Sequence, residues 1–598
     1  MSEKAKRMVE QFVNKTDFSS YEDFYGNFSI KVPENFNFAW DVMDALAAEK
    51  PNERALVWCD ELGAEAEYSY EDIRRHSNQA ANVLQAAGIG KGDPVMLILK
   101  RRYEYWPILL ALHKIGAIAI PATHLLTAKD IIYRCEAADI AAIVCVDDPE
   151  LMCRVDEAEM KIERGSDSGG DSSLRYKAFV RSVHTPAADN PVEKAQAVYI
   201  RKTGESGETG KVPEGIIPWA DFNVLSARAS AGFNRPPNVN TNDDIMLLYF
   251  TSGTTGMPKM VRHDWAYPLG HICTALYWQQ VQEGGLHLTV ADTGWAKAAW
   301  GKIYGQWICG AAVFVYDYDR FVPAAMLEVI TRHKVTSFCA PPTIYRFFIK
   351  EDLSKYDFSA LKHASVAGEP LNPEIYDVFL AKTGHKLREG YGQTELTVVL
   401  ATYPWMEPKP GSMGRPSPGY DIDLVKEDGS SCKMGEEGQI VVRTERRKPA
   451  GMFGGYYRDD KLTQSVWHDN IYYTGDLAWK DEDGYFWFVG RTDDVIKSAG
   501  YRIGPFEVES ALLEHPSVLE CAVTSAPDPD RGAVVKATVV LSKGWVASDE
   551  LKLELQNHVK KTTAPYKYPR IVEFADELPK TISGKIRRVQ IREEDGAN

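Results

Sequence analysis

The chain has 598 residues and a formal net charge of -15 at pH 7. A single hydrophobic core stops growing at roughly 250 to 300 residues, so we expect more than one domain. The negative charge repels nucleic acid and anionic lipid at long range, which argues against either as a partner. With 44% hydrophobic and 26% charged residues, the composition is that of a globular enzyme and excludes a largely disordered chain.

Nine cysteines are scattered along the chain without a C-x-x-C pair or a histidine cluster at metal-ligand spacing. They are expected to be reduced thiols. The N-terminal residues carry interspersed acids and no apolar segment, which is atypical of signal and transit peptides, and no apolar run reaches the ~20 residues that span a bilayer. These features predict a cytoplasmic protein without a membrane span. Assembly into a homo-oligomer stays open.

Helical periodicity alternates with short apolar runs from Phe36 to Cys145, among them PVMLIL and AAIVCV. The rhythm resumes after Asp243 with the runs IMLLYF, HLTVA, AAVFVY and SFCAP. Such alternation predicts layered α/β structure. Residues 163–173 and 201–211 are rich in Gly and Ser without apolar periodicity, so they are predicted to be exposed loops.

The pattern changes near Gly490, where paired Asp residues and a Gly-rich turn precede a helix with Pro505 in its first turn. Strand, strand, helix and strand patterns follow, which is typical of a small α+β unit. We therefore predict a large, multi-subdomain α/β N-terminal domain at about residues 30–491. A small mobile C-terminal domain is predicted at 494–598.

One strand-like run, IMLLYF, leads directly into the loop TSGTTGMPK. Amides of small residues, hydroxyls and one cation suit a polyphosphate, and glycine permits close approach. The string is not a Walker A motif, because Pro258 precedes Lys259 and Met260 follows it. The alternative interpretation is a Gly/Thr-rich turn after a strand. The candidate phosphate-binding residues are Thr251, Ser252, Gly253, Thr254, Thr255, Gly256, Met257, Pro258 and Lys259.

Four further motifs follow in order: AGEPL (367–371), EGYGQTE (389–395), the long string from Tyr472 to Glu509, and PKTISGKIRR (579–588). Together with TSGTTGMPK they resemble the adenylate-forming superfamily, which includes acyl-CoA synthetases, beetle luciferases and amino-acid-activating domains. The resemblance covers nearly the whole chain. It is strongest to medium-chain acyl-CoA ligases, in strings such as DTGWAKAAW and VKKTTAPYKYPR.

EGYGQTE places an aromatic face, a hydroxyl and a carboxylate close together, which suits adenine and a metal-bound phosphate. Glu395 is the candidate Mg²⁺ ligand, because hard cations take carboxylate and phosphate oxygens, and Thr394 is a candidate for the α-phosphate. Asp476 can accept hydrogen bonds from both ribose hydroxyls, and Arg491 resembles the family's ribose- and phosphate-contacting arginine. A buried tyrosine, a cap and a surface ion pair are the alternatives. The remaining ATP-binding candidates are Gly368, Glu369, Pro370, Glu389, Gly390, Tyr391, Gly392 and Gln393.

In the family, the lysine at the position of Lys585 bridges the carboxylate substrate to the phosphate. A compact ammonium can stabilise two approaching anions, so Lys585 joins Thr394 and Glu395 as a catalytic candidate. A solvated basic tail is the other interpretation. Asp493 matches the family hinge, where a few backbone torsions reorient the small domain, although an ordinary Asp in a turn would look the same.

The resemblance also implies a coenzyme A site. Gly500 suits the lining of a pantetheine tunnel, while surface solvation competes for the Tyr/Lys run near the C-terminus. Trp295 and Trp300 are candidate walls of the acyl pocket, with core packing as an equal alternative. The coenzyme A candidates are Ala499, Gly500, Tyr501, Arg502, Arg531, Tyr566, Lys567 and Tyr568.

The sequence thus predicts an ATP-dependent acyl-CoA synthetase. It would use Mg²⁺ to form acyl-AMP and pyrophosphate from a medium-chain, branched or aromatic carboxylic acid, and then transfer the acyl group to coenzyme A. An acetyl- or propionyl-CoA synthetase, a luciferase-like enzyme and an amino-acid-activating enzyme remain alternatives. A non-enzymatic nucleotide-binding regulator is disfavoured, because Lys585, Glu395 and Asp476 are all present.

Overall fold

The computed structural model describes most of the chain. The described residues are 7–165, 173–203, 216–251, 257–498, 501–528, 531–580 and 586–595. Much of both segments predicted as exposed loops lies outside these ranges. Helices extend into the start of each segment, to Gly165 and to Thr203, because their amphipathic patterns continue further than the Gly/Ser content suggested.

The strands include all of the apolar runs recognised in the sequence. They are β1 Arg54–Asp60, β2 Glu65–Ser69, β3 Pro94–Ile98, β4 Ile118–Pro121, β5 Ala142–Val146, β6 Tyr176–Val180, β7 Trp219–Asp221, β8 Ile245–Thr251, β9 Lys259–Asp264, β10 Leu286–Thr289, β11 Ala312–Asp317, β12 Ser337–Ala340, β13 His363–Val366, β14 Leu387–Gly392, β15 Val398–Ala401, β16 Ser412–Pro416, β17 Asp421–Val425, β18 Gly438–Arg443, β19 Trp467–His468, β20 Ile471–Lys480, β21 Phe486–Arg491, β22 Ile496–Ser498, β23 Tyr501–Ile503, β24 Val518–Asp528, β25 Gly532–Leu541 and β26 Ile571–Phe574.

The α-helices lie mainly between parallel strands. They are α1 Tyr21–Asn27, α2 Ala45–Glu49, α3 Tyr70–Ala86, α4 Tyr105–Ile115, α5 Ala128–Ala138, α6 Pro149–Gly165, α7 Pro191–Thr203, α8 Phe222–Arg228, α9 Tyr267–Cys273, α10 Ala296–Gly301, α11 Tyr304–Ile308, α12 Pro323–Arg332, α13 Pro342–Phe348, α14 Pro373–Thr383, α15 Asp460–Val466, α16 Pro505–Leu513, α17 Asp549–Thr562 and α18 Arg588–Glu594. Two π-helical turns, Ala39–Asp44 and Thr274–Trp278, precede α2 and follow α9.

The largest sheet joins a parallel half to an antiparallel half. Its order is β17-β18-β20-β21-β16-β15-β14-β13-β12-β10-β11-β1-β2, with β19 paired to β20. The strands from β14 to β1 are parallel and are connected by helices, as crossover connections require. Strand β11 is buried along its whole length, which explains why AAVFVY reads as a continuous apolar run.

A second sheet has the order β7-β6-β5-β3-β4-β8-β9. Strands β4 and β5 lie on opposite sides of β3, so the strand order reverses there. In open α/β sheets, ligands bind near the carboxyl ends of strands beside such a reversal. The antiparallel pair β8 and β9 closes one edge and holds the phosphate-loop motif between its strands.

The C-terminal part has a hydrophobic core of its own, formed by buried residues between Ile496 and Val572. Strands β24, β25 and β26 form a three-stranded sheet, and α16 and α17 pack on it. The chain therefore has a large α/β domain and a small α+β domain. The boundary at residues 491–494 stays a prediction.

Buried charges link the two large sheets. Arg101 follows β3 of the second sheet, and its guanidinium lies 3.6 Å from the Asp292 carboxylate and 3.8 Å from the Asp317 carboxylate at the end of β11. Nearby, the ammonium of Lys302 donates to the Ala291 carbonyl at 2.9 Å. Burial lowers the pKa of Lys302 to about 7, so this cation is destabilised by its environment.

We expect Lys302→Met to change how stability depends on pH. The pKa of Lys302 is about 7 in the folded protein and 10.5 ordinarily, so the unfolded chain binds more protons between these values and wild-type stability rises with pH in that window. Relative to the Met variant, the wild type should gain about 2 kcal/mol between pH 7 and 9. Denaturant unfolding of both proteins at pH 6, 7, 8 and 9 measures this. A pH-independent difference would contradict it.

Candidate active site

The phosphate-loop motif connects β8 to β9. Thr251 ends β8 and pairs with Lys259 at the start of β9. Ser252, Gly253, Thr254, Thr255 and Gly256 lie outside the described residues. Met257 is exposed, and the Pro258 carbonyl accepts a hydrogen bond from the Tyr133 hydroxyl at 2.9 Å. The second half of the motif is thus held by α5 as well as by the hairpin.

Tyr456 brings the end of the phosphate loop to Glu395. The ammonium of Lys259 lies 5.3 Å from the centre of the Tyr456 ring, and the Tyr456 hydroxyl donates to Glu395 Oε1 at 2.8 Å. Burial and the nearby Glu395 carboxylate raise the pKa of Tyr456, so its hydroxyl remains a donor at neutral pH. The sequence analysis did not identify this tyrosine, because its motif, GGYY, has no recognisable chemistry by itself.

The surroundings of Glu395 fit a magnesium ion held jointly with phosphates. In the described part of the chain, no cluster of three or more His, Cys, Asp or Glu side chains could hold a metal alone. Tyr456 engages Oε1 of Glu395, and Oε2 has no hydrogen-bond donor among the described residues. One carboxylate oxygen together with phosphate oxygens is how Mg²⁺ is commonly bound beside nucleotides. His263 fixes the neighbouring residue by contacting the Thr394 carbonyl at 2.8 Å.

Asp476 is held by two side chains of the EGYGQTE motif. The Tyr391 hydroxyl and the Gln393 amide each donate to Asp476 Oδ2 at 2.6 Å. Tyr472 in turn donates to the Gln393 carbonyl oxygen at 2.9 Å. The Asp476 residue is only 5% exposed. The two donors therefore preorganise the carboxylate in a fixed orientation.

Arg491 lies opposite Asp476 across the pair β20 and β21. Its guanidinium is 3.7 Å from the Asp476 carboxylate and 3.5 Å from that of Asp493. The structure thus brings together three residues that the sequence assigned separately to the ribose, the phosphate and the hinge. The hairpin of β20 and β21, which lies within the motif from Tyr472 to Glu509, causes this proximity.

The Glu389 carboxylate points to the protein backbone. Oε1 accepts from the Leu371 amide at 3.0 Å and Oε2 from the Gly411 amide at 2.8 Å. Burial raises the pKa of Glu389 to about 8, and these two amides partly offset that effect. Glu389 therefore ties the AGEPL loop to the start of β16, while its contact with ATP stays a prediction.

The two glycines of EGYGQTE are required by packing. A Cβ atom on Gly390 would lie 2.4 Å from the Trp278 ring, and one on Gly392 would lie 2.4 Å from the Trp300 ring. Both distances are far below van der Waals contact. Only glycine lets β14 approach the two tryptophans so closely.

Trp300 lies beside the EGYGQTE motif, whereas Trp295 precedes α10. Trp300 is 7% exposed and contacts Gly392. Trp295 is half-buried at the N-cap position of α10. The segment before it packs on the end of β4, since a Cβ atom on Gly294 would lie 2.3 Å from the Thr123 amide nitrogen. Of the two predicted acyl-pocket walls, Trp300 is the one that packs against the EGYGQTE motif.

The candidate adenine loop contacts a lysine that the sequence analysis missed. The Lys297 ammonium, on α10, donates to the Ala367 carbonyl at 2.6 Å. Gly368 follows with φ at 116°, which glycine tolerates. The carboxylate of Glu369 accepts from Thr343 at 3.4 Å, and Pro370 is half-buried. The single basic residue in the string DTGWAKAAW was the available signal for Lys297.

Four of the coenzyme A candidates, Tyr501, Tyr566, Lys567 and Tyr568, are aromatic or basic residues of the small domain with neighbouring aromatic or charged partners. Tyr501 and Tyr566 stack with ring centroids 4.2 Å apart and an interplanar angle of 17°, and they are 52% and 44% exposed. Lys567 forms an ion pair with Glu507. The ammonium of Lys560 lies 4.0 Å from the centre of the Tyr568 ring. Exposed stacked rings beside cations offer a platform for a nucleotide base and its phosphates.

The other coenzyme A candidates and Lys585 either contact other residues or fall outside the described residues. Arg502 on β23 forms an ion pair with Glu427 of the large domain at 3.1 Å. Arg531 is exposed next to the start of β25, and its amide donates to Asp528. Ala499, Gly500 and Lys585 lie outside the described residues, so their roles stay predictions.

A two-domain α/β fold with a hairpin phosphate loop, a preorganised Asp476 and a separate small domain defines the class of AMP-binding, adenylate-forming enzymes. The sequence comparisons agree: residues 43–457 match the AMP-binding enzyme family, and residues 507–585 match the AMP-binding enzyme C-terminal domain. The chain therefore belongs to the AMP-binding enzyme family.

Relatives of this chain cover nearly its whole length. Acyl-coenzyme A synthetase ACSM3 of Mus musculus, a mitochondrial protein, is 40% identical over 589 residues, which are 97% of this chain and 94% of the relative. A solved acyl-CoA synthetase of Brucella canis is 30% identical, with a TM-score of 0.69 over 97% of this chain and 99% of its own. The anthranilate CoA ligase AuaEII, solved with anthranoyl-AMP, is 26% identical, with a TM-score of 0.79 over 94% and 98%.

These relatives correct the predicted location. The acyl-coenzyme A synthetases ACSM3 and ACSM4, which match this chain, are mitochondrial proteins and point to a mitochondrial location, so the expectation of a cytoplasmic protein is wrong. Reduced cysteines separate reducing from oxidising compartments and do not distinguish one reducing compartment from another. Among the described helices, none is long and apolar enough to cross a membrane.

We expect Tyr391→Phe to weaken ATP binding, because Asp476 loses one of the donors that orient it. A hydrogen bond to a charged group contributes about 1.5 to 3 kcal/mol, so KM for ATP should rise roughly tenfold or more. The value of kcat should change less, since the ribose is bound alike before and during the reaction. Tyr345→Phe, which removes a buried hydroxyl bonded to the Ser365 carbonyl, is the control. Equal effects of both variants on KM would contradict the assignment.

Proposed function

We propose that this protein is an ATP-dependent acyl-CoA synthetase. It converts a carboxylic acid and MgATP to acyl-AMP and pyrophosphate, and then converts acyl-AMP and coenzyme A to acyl-CoA and AMP. The observation that carries the proposal is the Asp476 carboxylate, preorganised by Tyr391 and Gln393 and facing Arg491. The family match and the acyl-CoA synthetases among the relatives support it.

In the first step, a carboxylate oxygen attacks the α-phosphorus and pyrophosphate leaves with the electron pair of the broken P–O bond. Asp476 accepts the ribose hydroxyls, and Arg491, beside it, faces the phosphates. Lys259 and the rest of the phosphate loop hold the β- and γ-phosphates. Glu395 would hold Mg²⁺, which neutralises phosphate charge when bound. Lys585 then brings the two anions together.

In the second step, the sulfur of coenzyme A attacks the acyl carbonyl carbon, and AMP leaves with the electron pair of the C–O bond. The stacked pair of Tyr501 and Tyr566 suits the adenine of coenzyme A, because an exposed aromatic face stacks on a base. Lys567 and Arg531 are suited to its phosphates. Gly500 would line the path of the thiol. Rotation about Asp493, between domains at residues 30–491 and 494–598, exchanges the two arrangements.

The acid is a medium-chain, branched or aromatic carboxylic acid. Trp300, packed against Gly392, is the candidate floor of the acyl pocket. A flat apolar floor limits the length of an unbranched chain and accommodates a ring. AuaEII, a relative solved with anthranoyl-AMP, is named for an aromatic acid, which supports this substrate class.

We expect Lys585→Ala to abolish acyl-AMP formation by about 10²-fold or more, because two approaching anions lose their bridging cation. Thioester formation from supplied acyl-AMP should persist. ATP–pyrophosphate exchange and acyl-CoA release from acyl-AMP measure the two steps separately. Lys580→Ala, five residues earlier and paired with Glu520, is the matched control. An equal loss of both steps in folded Lys585→Ala would contradict the role in adenylation.

The acid preference gives a further prediction. Each buried methylene contributes roughly 0.8 kcal/mol, so kcat/KM should rise severalfold per carbon up to the pocket floor, which the resemblance to medium-chain acyl-CoA ligases puts at about four to ten carbons. Trp300→Leu should move the optimum to longer acids by opening volume behind Gly392. A panel of acids from acetate to palmitate, with phenyl-substituted acids included, measures this.

The control for this panel is Trp58→Leu, which opens a cavity at β1, outside the segment DTGWAKAAW and the EGYGQTE motif. An unchanged optimum in Trp300→Leu would remove this residue from the pocket floor. Acetate as the best substrate would favour an acetyl-CoA synthetase. Light emission or oxygen consumption instead of thioester formation would favour a luciferase-like enzyme, and amino acids as best substrates an amino-acid-activating enzyme.

A further inference from the structure

The two aspartates at the candidate hinge face different domains. Asp493 lies 3.5 Å from the Arg491 guanidinium, on β21 of the large domain. The next residue, Asp494, accepts a hydrogen bond from Arg592 Nη1 at 2.7 Å and lies 4.0 Å from Arg588 Nη1. Both arginines belong to α18 of the small domain. The two adjacent carboxylates are therefore paired with different domains, Asp493 with the large domain and Asp494 with the small domain.

On the small-domain side, Asp494 belongs to a network of ion pairs with Arg588, Arg592 and Glu509. Arg588 donates to both oxygens of Glu509 at 2.7 Å, and Glu509 Oε1 also accepts from the Val523 amide at 2.8 Å. The side chains of Glu509 and Asp494 are only 9% and 15% exposed. Bidentate, partly buried pairs of this kind have a defined geometry. They join α16, β24 and α18 to the residue after the hinge candidate.

The same helix follows directly on the adenylation lysine in the sequence. Lys585 precedes Ile586, which is paired with Lys580 across an isolated β-bridge, and the Arg587 amide donates to the Pro579 carbonyl at 2.8 Å. The residue after these, Arg588, begins α18. The chain on the C-terminal side of Lys585 is therefore anchored to Asp494 within three residues.

We propose that Asp494, Arg592 and Arg588, with Glu509, are positioning residues for acyl-adenylate formation. They fasten the helix that follows Lys585 to the first residue beyond the hinge, so that rotation at Asp493 carries the lysine with the small domain as one body. This inference rests on the proposed function. The coenzyme A candidates on β23 and near Tyr566 do not depend on these ion pairs, because β22 and β23 are held by each other and by β25.

The test separates the two half-reactions in Asp494→Asn and Arg592→Gln, each of which breaks the contact between α18 and the hinge. Misplacing a catalytic group by about 1 Å can cost 10²-fold, so ATP–pyrophosphate exchange should fall about 10- to 100-fold. Thioester formation from supplied acyl-AMP should stay within about twofold, because its residues are anchored elsewhere. Asp494→Glu, which keeps the charge, should recover most of the exchange activity.

The matched control is Asp595→Asn. Asp595 ends the same helix and pairs with Lys536 on β25 at 2.5 Å, without contacting the hinge. The Asp595→Asn variant should lower the melting temperature of the small domain about as much as Asp494→Asn does. The ratio of the rates of the two half-reactions should stay unchanged. If Asp595→Asn produces the same split, or if Asp494→Asn slows both steps equally or neither, the inference is wrong. Failure of the wild type to form acyl-CoA from any acid would instead overturn the proposed function.

Discussion

The hydrogen bonds that hold the Asp476 carboxylate organise the rest of the site. Tyr391 and Gln393 lie at the end of β14 in the parallel half of the largest sheet, and Asp476 lies on β20 in the antiparallel half. Asp476 is only 5% exposed, and a carboxylate in such a position needs hydrogen-bond donors to offset its lost hydration. The need to satisfy this charge ties the two halves together where the nucleotide is proposed to bind.

A second constraint is the close packing of β14 on two tryptophans. Gly390 and Gly392 are spaced by two residues, so both face the same side of the strand, and each contacts an indole ring. Trp278 and Trp300 are themselves in edge-to-face contact with centroids 6.4 Å apart. The strand that presents Tyr391 to Asp476 is thereby seated on a rigid aromatic layer. The same layer supplies the proposed floor of the acyl pocket, so nucleotide and acid would be positioned by one element.

Charge, rather than apolar packing, marks the passage between the domains. Arg491, Asp493 and Asp494 lie within four residues; Arg491 pairs with Asp476 of the large domain and with Asp493, whereas Asp494 pairs with Arg592 of the small domain. Apolar contacts would resist rotation because they need close packing, whereas the more exposed charges of Arg491 and Asp493 can exchange partners at little cost. The Asn372 amide, directly after the AGEPL loop, donates to Ser510 of the small domain and is another exchangeable contact.

Local sequence patterns predicted many of the strands and helices of this protein. The apolar runs, the Gly-rich motifs and the helix at Pro505 are short-range features, and their strands and helix are present as predicted. The motifs also identified Asp476, Arg491 and Glu395 as separate candidates, because each residue type has chemistry suited to one part of a nucleotide.

Only the tertiary structure decided how these candidates act on one another. Tyr456, Lys297 and Asp494 reach the site through contacts between residues distant in sequence, and nothing in their neighbouring residues reports such contacts. Glu389 shows the converse, since a residue within a nucleotide motif directs its carboxylate to two backbone amides. The sequence by itself determined the family, the elements and the chemistry available. The pairing of β16 with β21, which are distant in sequence, decided which groups meet, because strand pairing is set by burial and hydrogen bonding across the whole chain.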